Sequence, residues 1–447
     1  MNNEVRPDPA RSNTGRLGRA QVGITVLCAL VVLIDGFDTQ AIALVAPDIA
    51  AEWQVPTATF GVVFGVGLLG GAIGAIIFGW AGDRFGRKPT VLFAVALLGV
   101  ASSLTPLAGS VGELTFLRLV TGFGLGGALP GVIAITSEYT PQRLRTAVVS
   151  MMYCGFPLGA VLGGLITVRM VPALGWQSVF VLGGAAPLLL LPILAIWLPE
   201  SARFLAVKGS TARLNKVLRR TGLDAPPEAE DTGSTEHSSV VRLFTDGRAT
   251  GTLLIWTALF LSLLMSYLLI NWLPLLARQA GLSSTTATFG VVLLNLGSII
   301  GTIVIGRLTI RSRPAVVVGT AFALGAVAIT GIAFSQQSGT WMLVAALFAG
   351  GLSIGAQISS LGICVNLYDT SVRATGVGWA VGIGRVGGIV GPVVGGLLIG
   401  VGISTPNLFL VTALASLLAA AAILGIARRR ATTTDHPAAQ PTKATER

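Results

Sequence analysis

The sequence predicts an all-α membrane protein with twelve transmembrane helices in two pseudo-symmetric six-helix bundles. Hydrophobic residues make up 53% of the 447 residues and charged residues only 11%, whereas soluble domains carry about 25% charged residues. Twelve apolar runs are long enough to cross the ~30 Å hydrocarbon core of a bilayer. The two halves of the chain also resemble each other weakly, at offsets near half its length.

The predicted spans divide six and six around one long polar segment. They cover residues 20–46, 58–81, 89–108, 113–136, 146–169, 177–198, 250–276, 284–310, 314–334, 340–365, 372–400 and 405–427. This layout predicts an N-terminal tail (1–19), an N-terminal bundle (20–198), a linker (199–249), a C-terminal bundle (250–427) and a C-terminal tail (428–447). In the linker, Ala202 to Arg220 has helical periodicity, and the stretch DAPPEAEDTGSTEHSS after it has a disordered composition.

The basic residues lie unevenly around these spans. With the N-terminus placed in the cytoplasm, most of the 30 Lys and Arg fall on the inner side, and only Arg169 and Arg278 fall on the outer side. Cytoplasmic loops carry an excess of Lys and Arg, so we expect a multi-pass protein of the inner (plasma) membrane with both termini in the cytoplasm. The lipid bilayer therefore accounts for the net charge of +11 without a nucleic-acid partner.

The internal repeat strengthens the division into two bundles. Tyr139 precedes TPQRLRTAVVSMMYCGFPLGAVLGG (140–164), and Tyr368 precedes the similar DTSVRATGVGWAVGIGRVGGIVGPVVGG (369–396). FGWAGDRFGRKP (78–89) likewise resembles the shorter IGRLTIRSRP (305–314). Six spans, an inner linker and six more spans with a parallel repeat are the organisation of a two-bundle transporter with a central site.

The first span contains two carboxyl groups where burial is costly. Each Asp near the middle of a membrane helix costs about 2.5–3.5 kcal/mol. Asp35 and Asp38 are three residues apart, so they share one face of a helix. Two like charges in a low-dielectric site favour protonation of at least one of them, which is what proton coupling requires. The alternative is that both acids are paired with bases for packing.

The glycine motifs indicate packing rather than cofactor binding. GFGLGG at 122–127 fits the dinucleotide pattern, but it lies inside an apolar span and not between a strand and a helix. Close helix packing is the better interpretation, as it is for Gly155, Gly159 and Gly163 and for Gly391 and Gly395. The Cys and His residues form no metal or catalytic pattern. We therefore expect no cofactor, no metal and no catalytic residues, and the protein is predicted not to be an enzyme.

Several stretches resemble one transporter family. GWAGDRFGRKP (79–89) resembles the signature loop of the major facilitator superfamily, and Arg118 with Gly122 and Gly124 resembles its fourth-span motif. Further stretches are similar to the aromatic acid:proton symporter family, especially to its carriers of hydroxyphenylpropionate and hydroxybenzoate-type acids. They are Asp35-Gly36-Phe37-Asp38-Thr39, SEYTPQRLR (137–145), MYCGFPLGA (152–160), LPES (198–201), NWLP (271–274) and RATGVGWAVGIGR (373–385).

The resemblance implies a function and its partners. The expected activity is import of an aromatic carboxylic acid of benzoate, hydroxybenzoate, gentisate or hydroxyphenylpropionate type, together with a proton, by alternating access in a monomer. The alternative is a proton-driven exporter of drugs or metabolites on the same fold. Asp35 and Asp38 are the candidates for proton coupling under either interpretation.

Candidate substrate contacts begin with the two arginines inside spans. Arg385 lies near the middle of span eleven, where its planar fork could clamp a carboxylate or form a static pair. Arg118 lies at roughly the depth of Asp38, so structural pairing and proton coupling both remain open for it. The other candidate contacts, each of which packing also explains, are Tyr267, Asn271, Trp272, Trp379 and Gln357.

A gate is expected at the cytoplasmic side. Asp83 could meet Arg373 at the start of span eleven, where the helix dipole also attracts an acid. Glu138 ends span four and could approach Arg84 and Arg87. A gating or structural role for Glu138 is favoured over proton carriage.

Overall fold

The computed structural model describes residues 17–221, 240–245, 247–335 and 338–434, and twelve of its helices are long and apolar enough to cross a membrane. The N-terminal half supplies the first six. They are α1 (Arg19–Trp53), α2 (Phe60–Phe85), α3 (Arg87–Leu104), α4 (Val111–Glu138), the broken pair α5 (Arg145–Tyr153) and α6 (Gly155–Leu174), and α7 (Gln177–Trp197). The predicted calls on residues 1–16 and 222–239 lie outside the described residues.

Two short helices, α8 (Ala202–Val207) and α9 (Thr211–Thr221), follow in the linker. The C-terminal half supplies the other six spans. They are α10 (Ala249–Gln279), α11 (Ser284–Arg311), α12 (Pro314–Ala333), the pair α13 (Gly339–Ala349) and α14 (Gly355–Leu367), α15 (Thr370–Gly400) and α16 (Thr405–Thr434). A π-helical turn, Gly350–Ile354, joins α13 to α14.

The twelve predicted spans are confirmed, and the differences lie at their ends and breaks. Helix α1 continues through Pro47 to Trp53, and α16 extends seven residues past the predicted boundary at 427 to Thr434. The single linker helix expected over 202–220 is instead two helices, because Gly209 adopts a left-handed φ of 67°. Span five breaks at Cys154, three residues before Pro157, whose ring disfavours a continuous helix.

Small residues hold the helices of each half together, as the glycine pattern predicted. A Cβ added to Gly126 of α4 would lie 1.9 Å from the Gly71 carbonyl oxygen of α2. The second half repeats this contact: a Cβ on Gly301 of α11 would lie 1.9 Å from the carbonyl oxygen of Gly351. The backbones therefore touch in corresponding places of the two halves, as small-residue faces in membrane helices allow.

The two bundles touch each other mainly in one half of their length. We call the end that carries α8 and α9 the linker end, and the end formed by the connections 54–59, 105–110 and 175–176 the far end. Near the far end, a Cβ on Gly61 of α2 would lie 2.8 Å from the Cα of Gly396 of α15. Gln279 of α10 donates a hydrogen bond of 3.0 Å to Thr57 Oγ1. The far end is therefore closed.

Candidate functional site

Asp38 lies inside the N-terminal bundle in a buried polar network, in which Arg118 Nε alone has no hydrogen-bond partner among the described residues. Its carboxylate accepts a 3.2 Å hydrogen bond from Arg118 Nη1 on α4 and a 2.8 Å hydrogen bond from Ser102 Oγ on α3. Arg118 Nη2 also donates to Thr105 Oγ1 at 2.6 Å, and the guanidinium carbon lies 4.7 Å from the centre of the Phe180 ring. Both charged residues are at least 97% buried. The network has the character of a static structural pair.

Arg118 was also a candidate substrate contact. Its guanidinium is engaged by Asp38 and Thr105 within one bundle, so the structural-pairing alternative describes its contacts here. A small cavity of about 40 Å³ beside the pair reaches Asn271 of α10. That volume suits a water molecule or two but not an aromatic acid.

Asp35 lies one turn nearer the linker end in different surroundings. Its carboxylate accepts a 3.1 Å hydrogen bond from Thr39 Oγ1 of its own helix. Its charge interacts with that of Arg385 on α15, although the two are farther apart than a salt bridge. Asp35 therefore faces the other bundle, whereas the bonded partners of Asp38 all belong to its own.

Two tyrosines share the space between Asp35 and Arg385. Tyr153 at the end of α5 and Tyr267 on α10 each lie within electrostatic range of both charges. Gly388, three residues after Arg385, makes room for the Tyr267 ring, since a Cβ there would lie 2.9 Å from Tyr267 Cδ2. Asp35, Arg385 and the two phenols thus come from both bundles and lie within electrostatic range of one another at mid-depth. Tyr153 was not among the predicted contacts, although MYCGFPLGA contains it.

The remaining predicted contacts divide into two groups. Trp272 is fully buried, its Nε1 donates to the Pro392 carbonyl oxygen at 3.1 Å, and its ring meets Phe64 edge-on at 5.7 Å. Its surroundings are those of a packing residue at the bundle interface, the alternative that the sequence left open for it. The Asn271 side chain donates to the Tyr267 carbonyl oxygen at 2.8 Å, within the helix.

Trp379 and Gln357 are more accessible. Trp379 stacks on Trp256, with ring centres 6.0 Å apart and planes 22° apart, and is 47% exposed. Gln357 is half-buried on α14. Neither side chain contacts the Asp38 network, and Trp379 lies nearer the linker end than Arg385 does.

The bundles are also joined by a pair of amide side chains. Gln40 of α1 and Asn295 of α11 exchange two hydrogen bonds of 3.0 and 2.8 Å, and both residues are at least 96% buried. Neither residue was a predicted site residue. The pairing needs the three-dimensional approach of α1 and α11, so no local sequence signal could have found it.

At the linker end, the predicted gate pair is not in contact. Asp83 forms an ion pair with Arg87 one turn later in the chain. Arg373 Nε instead donates to the Tyr368 carbonyl oxygen at 3.3 Å. Arg84 stacks over the rings of Trp80 and Phe85. Each group therefore binds within its own half of the molecule.

Glu138 was predicted to approach Arg84 and Arg87, but its hydrogen bonds are to other residues. Its carboxylate accepts hydrogen bonds of 2.8 and 2.7 Å from Ser201 Oγ and one of 3.3 Å from the Arg203 amide. Arg87 acts on it through its charge. Together with Asp83, these residues line an open cleft of about 600 Å³ at the linker end.

Glu200 of the LPES stretch organises this end and was not predicted as a site residue. Its Oε1 accepts hydrogen bonds from the amides of Arg87 (2.8 Å) and Lys88 (3.0 Å), so it caps the start of α3, where a negative charge is stabilising. Tyr139 donates its hydroxyl to the Glu200 carbonyl oxygen at 2.5 Å, and burial raises the pKa of the Tyr139 phenol. The LPES stretch stood out in the sequence, but nothing in the sequence showed that Glu200 contacts the start of α3.

A metal site has no support in the described part of the chain. No group of three or more His, Cys, Asp or Glu side chains that could hold a metal ion occurs there.

Comparison with known proteins identifies the family. The family model described as Major Facilitator Superfamily matches residues 28–290 and 255–446. The chain is 38% identical over 397 residues to the 4-hydroxybenzoate transporter PcaK of Pseudomonas putida, covering 87% of this chain and 89% of that one. It is 39% identical over 416 residues to a gallate transporter of the same species, covering 92% and 93%.

A third relative is the 3-(3-hydroxy-phenyl)propionate transporter of Escherichia coli K12, at 37% identity over 405 residues, 90% of this chain and 93% of that one. Among solved structures, the xylose transporter XylE of E. coli in a partially occluded inward open conformation has a TM-score of 0.70, at 17% identity over 91% of this chain and 98% of that one. That likeness concerns the fold. The chain is therefore a transporter and not an enzyme, and it belongs to the major facilitator superfamily, in the group whose sequences resemble the aromatic acid carriers.

Proposed function

We propose that the protein imports an aromatic carboxylic acid together with a proton across the inner membrane, as a monomer that works by alternating access. The linker end and both termini face the cytoplasm in this proposal, which the distribution of Lys and Arg supports. The cargo class rests on the relatives, which are named as transporters of 4-hydroxybenzoate, gallate and 3-(3-hydroxy-phenyl)propionate.

The observation that carries the proposal is that Asp35 and Arg385, from opposite bundles, lie within electrostatic range of each other. Arg385 has a planar fork of N–H groups that matches a carboxylate, and it stands apart from Asp35 by more than a salt bridge. A carboxylate bound there would lie between the bundles, and the rings of Tyr153 and Tyr267 would flank its aromatic group. A hydroxyl on that group could bond to a tyrosine hydroxyl.

Asp35 is the better of the two predicted proton carriers. Asp38 is already held by Arg118 and Ser102, so protonating it would break a buried ion pair. Asp35 has a single side-chain partner, Thr39. A proton on Asp35 would cancel its charge beside the incoming carboxylate, so that proton and anion favour each other's binding and cross together.

The cycle would alternate two arrangements of the bundles. In the arrangement described above, the far end is closed and the predicted Asp83–Arg373 contact is absent. In the opposite one, Asp83 would exchange Arg87 for Arg373 and close the linker end, while the far-end contacts open. Trp379 and Gln357 would line the path on the cytoplasmic side of the site.

The test is uptake of radiolabelled 4-hydroxybenzoate into proteoliposomes that contain the purified protein. We expect accumulation against the concentration gradient when the outside is made acidic, and its loss after a protonophore is added. Empty liposomes and the Asp35→Asn variant are the controls. Accumulation that survives the protonophore would exclude symport.

The same preparation separates the alternative of a proton-driven exporter. Liposomes preloaded with the labelled acid are acidified outside. An exporter of proton-antiport type, inserted in the cellular orientation, would lose the label faster than it does without the gradient, whereas an importer of symport type would retain it.

A further inference from the structure

The linker helices present a concentration of positive charge next to the membrane. The 21 residues from 201 to 221 contain no Asp or Glu. The basic residues there, all of them exposed, are Arg203, Lys208, Arg213, Lys216, Arg219 and Arg220. A surface of this kind attracts anions.

The orientation of α9 is fixed by its apolar side. Leu214 and Leu218 are buried in one core cluster with Ile24 and Cys28 of α1. Because residues three and four apart share a helix face, this contact turns Arg213, Lys216 and Arg220, at positions i, i+3 and i+7, together to another side. We call these three residues the basic stripe; Arg219 borders it, three residues after Lys216.

The depth of the basic stripe follows from its contacts with α7. Both terminal nitrogens of Arg220 donate to the Ile196 carbonyl oxygen at 3.3 Å, in the last turn of the span. The guanidinium carbon lies 5.9 Å from the ring centre of Trp197, which is 62% exposed. Tryptophan at the end of a span sits at the level of the lipid headgroups. Arg220 therefore lies at headgroup depth, on the helix face that it shares with Arg213 and Lys216.

We propose that the basic stripe binds the phosphate groups of anionic phospholipids in the leaflet at the linker end. Lys and Arg side chains near an anionic membrane surface strengthen the binding of their segment to that surface. This binding does not involve the cargo site, so the proposal does not depend on which substrate is transported. The bound lipid would hold α9 against the bilayer and fix the start of the linker. Its chemical class is a phosphodiester headgroup with a net negative charge, as in phosphatidylglycerol.

The test measures quenching of Trp197 by lipids with brominated acyl chains. Purified full-length protein is placed in nanodiscs of phosphatidylcholine with increasing brominated phosphatidylglycerol, and the Trp197→Phe protein supplies the signal of the other tryptophans. We expect Trp197 to be quenched at lower mole fractions of brominated phosphatidylglycerol than of brominated phosphatidylcholine. Replacing all three stripe residues by Gln should lower this preference by on the order of 100-fold, at roughly five-fold per charge.

The control removes two charges of the same segment that line the linker-end cleft instead of the stripe: Arg203→Gln and Lys208→Gln. It should leave the lipid preference within about two-fold of the wild type, because these charges do not belong to the stripe. A loss per charge equal to that of the stripe variant would overturn the proposal in favour of a general charge effect. Equal quenching by the two lipids in the wild type would also overturn it.

A second variant guards against misfolding, since Arg220 also holds α9 to α7. Arg213→Gln with Lys216→Gln keeps that contact and should retain the wild-type melting temperature while losing roughly 25-fold in preference. Inorganic phosphate added at the same phosphate concentration should not restore Trp197 fluorescence. If it does, the stripe is a site for soluble phosphate, and the lipid proposal fails.

Discussion

Asp38 and Asp35 lie one helical turn apart on α1, yet the two buried acids differ in whether they are bonded to an arginine. Asp38 has an arginine and a serine bonded to it from its own bundle. Asp35 has one threonine from its own helix, and its counter-charge, Arg385, stands off across the bundle interface. At one site the acid is bonded to its counter-charge, and at the other the acid and the base are not bonded to each other.

The difference follows from where each side chain points. In the proposed cycle, contacts inside a bundle would persist while the bundles rock, so a charge there can be satisfied permanently. Contacts between the bundles would be remade in each half-cycle, so a permanent ion pair there would resist the motion. A charge that serves transport is therefore expected at the interface, and a charge that serves folding is expected within a bundle.

The largest effect is expected at Asp35. Asp35→Asn should abolish accumulation driven by the proton gradient, because the amide cannot take up and release a proton, while exchange of labelled for unlabelled acid should persist. Both are measured in the same proteoliposomes. Asp48→Asn, which removes another acid of α1 beside the far end, is the control and should accumulate normally. Full gradient-driven accumulation by Asp35→Asn would move the proton role elsewhere.

Removing Asp38 should instead act on stability. Asp38→Ala leaves the buried Arg118 without its counter-charge, which costs about 3–5 kcal/mol, measurable as a lower melting temperature and membrane level. Adding Arg118→Leu should recover most of the loss, since an apolar replacement of a whole buried pair is often nearly neutral. If the double variant is no more stable than Asp38→Ala, the pair is not the structural unit described above.

Arg385→Lys tests the Asp35 site, where the acid and the base are not bonded to each other. Lysine keeps the charge but loses the fork, and hydrogen bonds to charged groups contribute about 1.5–3 kcal/mol. We therefore expect KM for uptake to rise by about 10- to 100-fold with an unchanged melting temperature. Arg311→Lys, exposed at the end of α11, serves as the control. A KM within two-fold of wild type would remove the carboxylate clamp.

The smallest effect is expected at the Gln40–Asn295 pair, a buried uncharged contact across the interface. Gln40→Leu leaves the Asn295 amide without this partner when the far end is closed, at a cost of about 1–3 kcal/mol, and should favour the far-end-open state. The reporter is Leu68→Cys, which lines the small cavity beside Asp38, in a background without native cysteines. Its labelling by a membrane-impermeant maleimide should become about ten-fold faster.

A matched control is available at the rim. Gln279→Leu breaks an exposed hydrogen bond to Thr57, which is worth less because water replaces it. The change in labelling there should be much smaller. Non-additive effects of Gln40→Leu and Asn295→Leu would establish direct coupling, whereas additive effects would argue against a shared contact.

The sequence predicted the helices well and their partners poorly. All twelve spans followed from the cost of placing polar backbone and side chains in lipid, which depends on local composition. The pairing of Arg118 with Asp38 was one of two open alternatives, because equal depth does not specify which faces meet. Trp272 illustrates the limit: an amphipathic ring suits a binding site and a packed interface equally, and only its contact with Pro392 separates them.

The contacts that the sequence analysis missed share one property. Glu200 caps a helix that begins more than a hundred residues earlier, Gln40 meets Asn295 across 255 residues, and Tyr153 enters the site through a helix break. Each depends on the approach of segments distant in the chain. No periodicity or motif spacing records such an approach.

By itself, the sequence determined that this chain crosses the membrane twelve times and keeps ionisable groups within it, because the transfer of each residue from water to lipid is a local free energy. Only the tertiary structure decided which acid is neutralised within a bundle and which faces Arg385, since a charge–charge interaction depends on distance and so on how the helices cross.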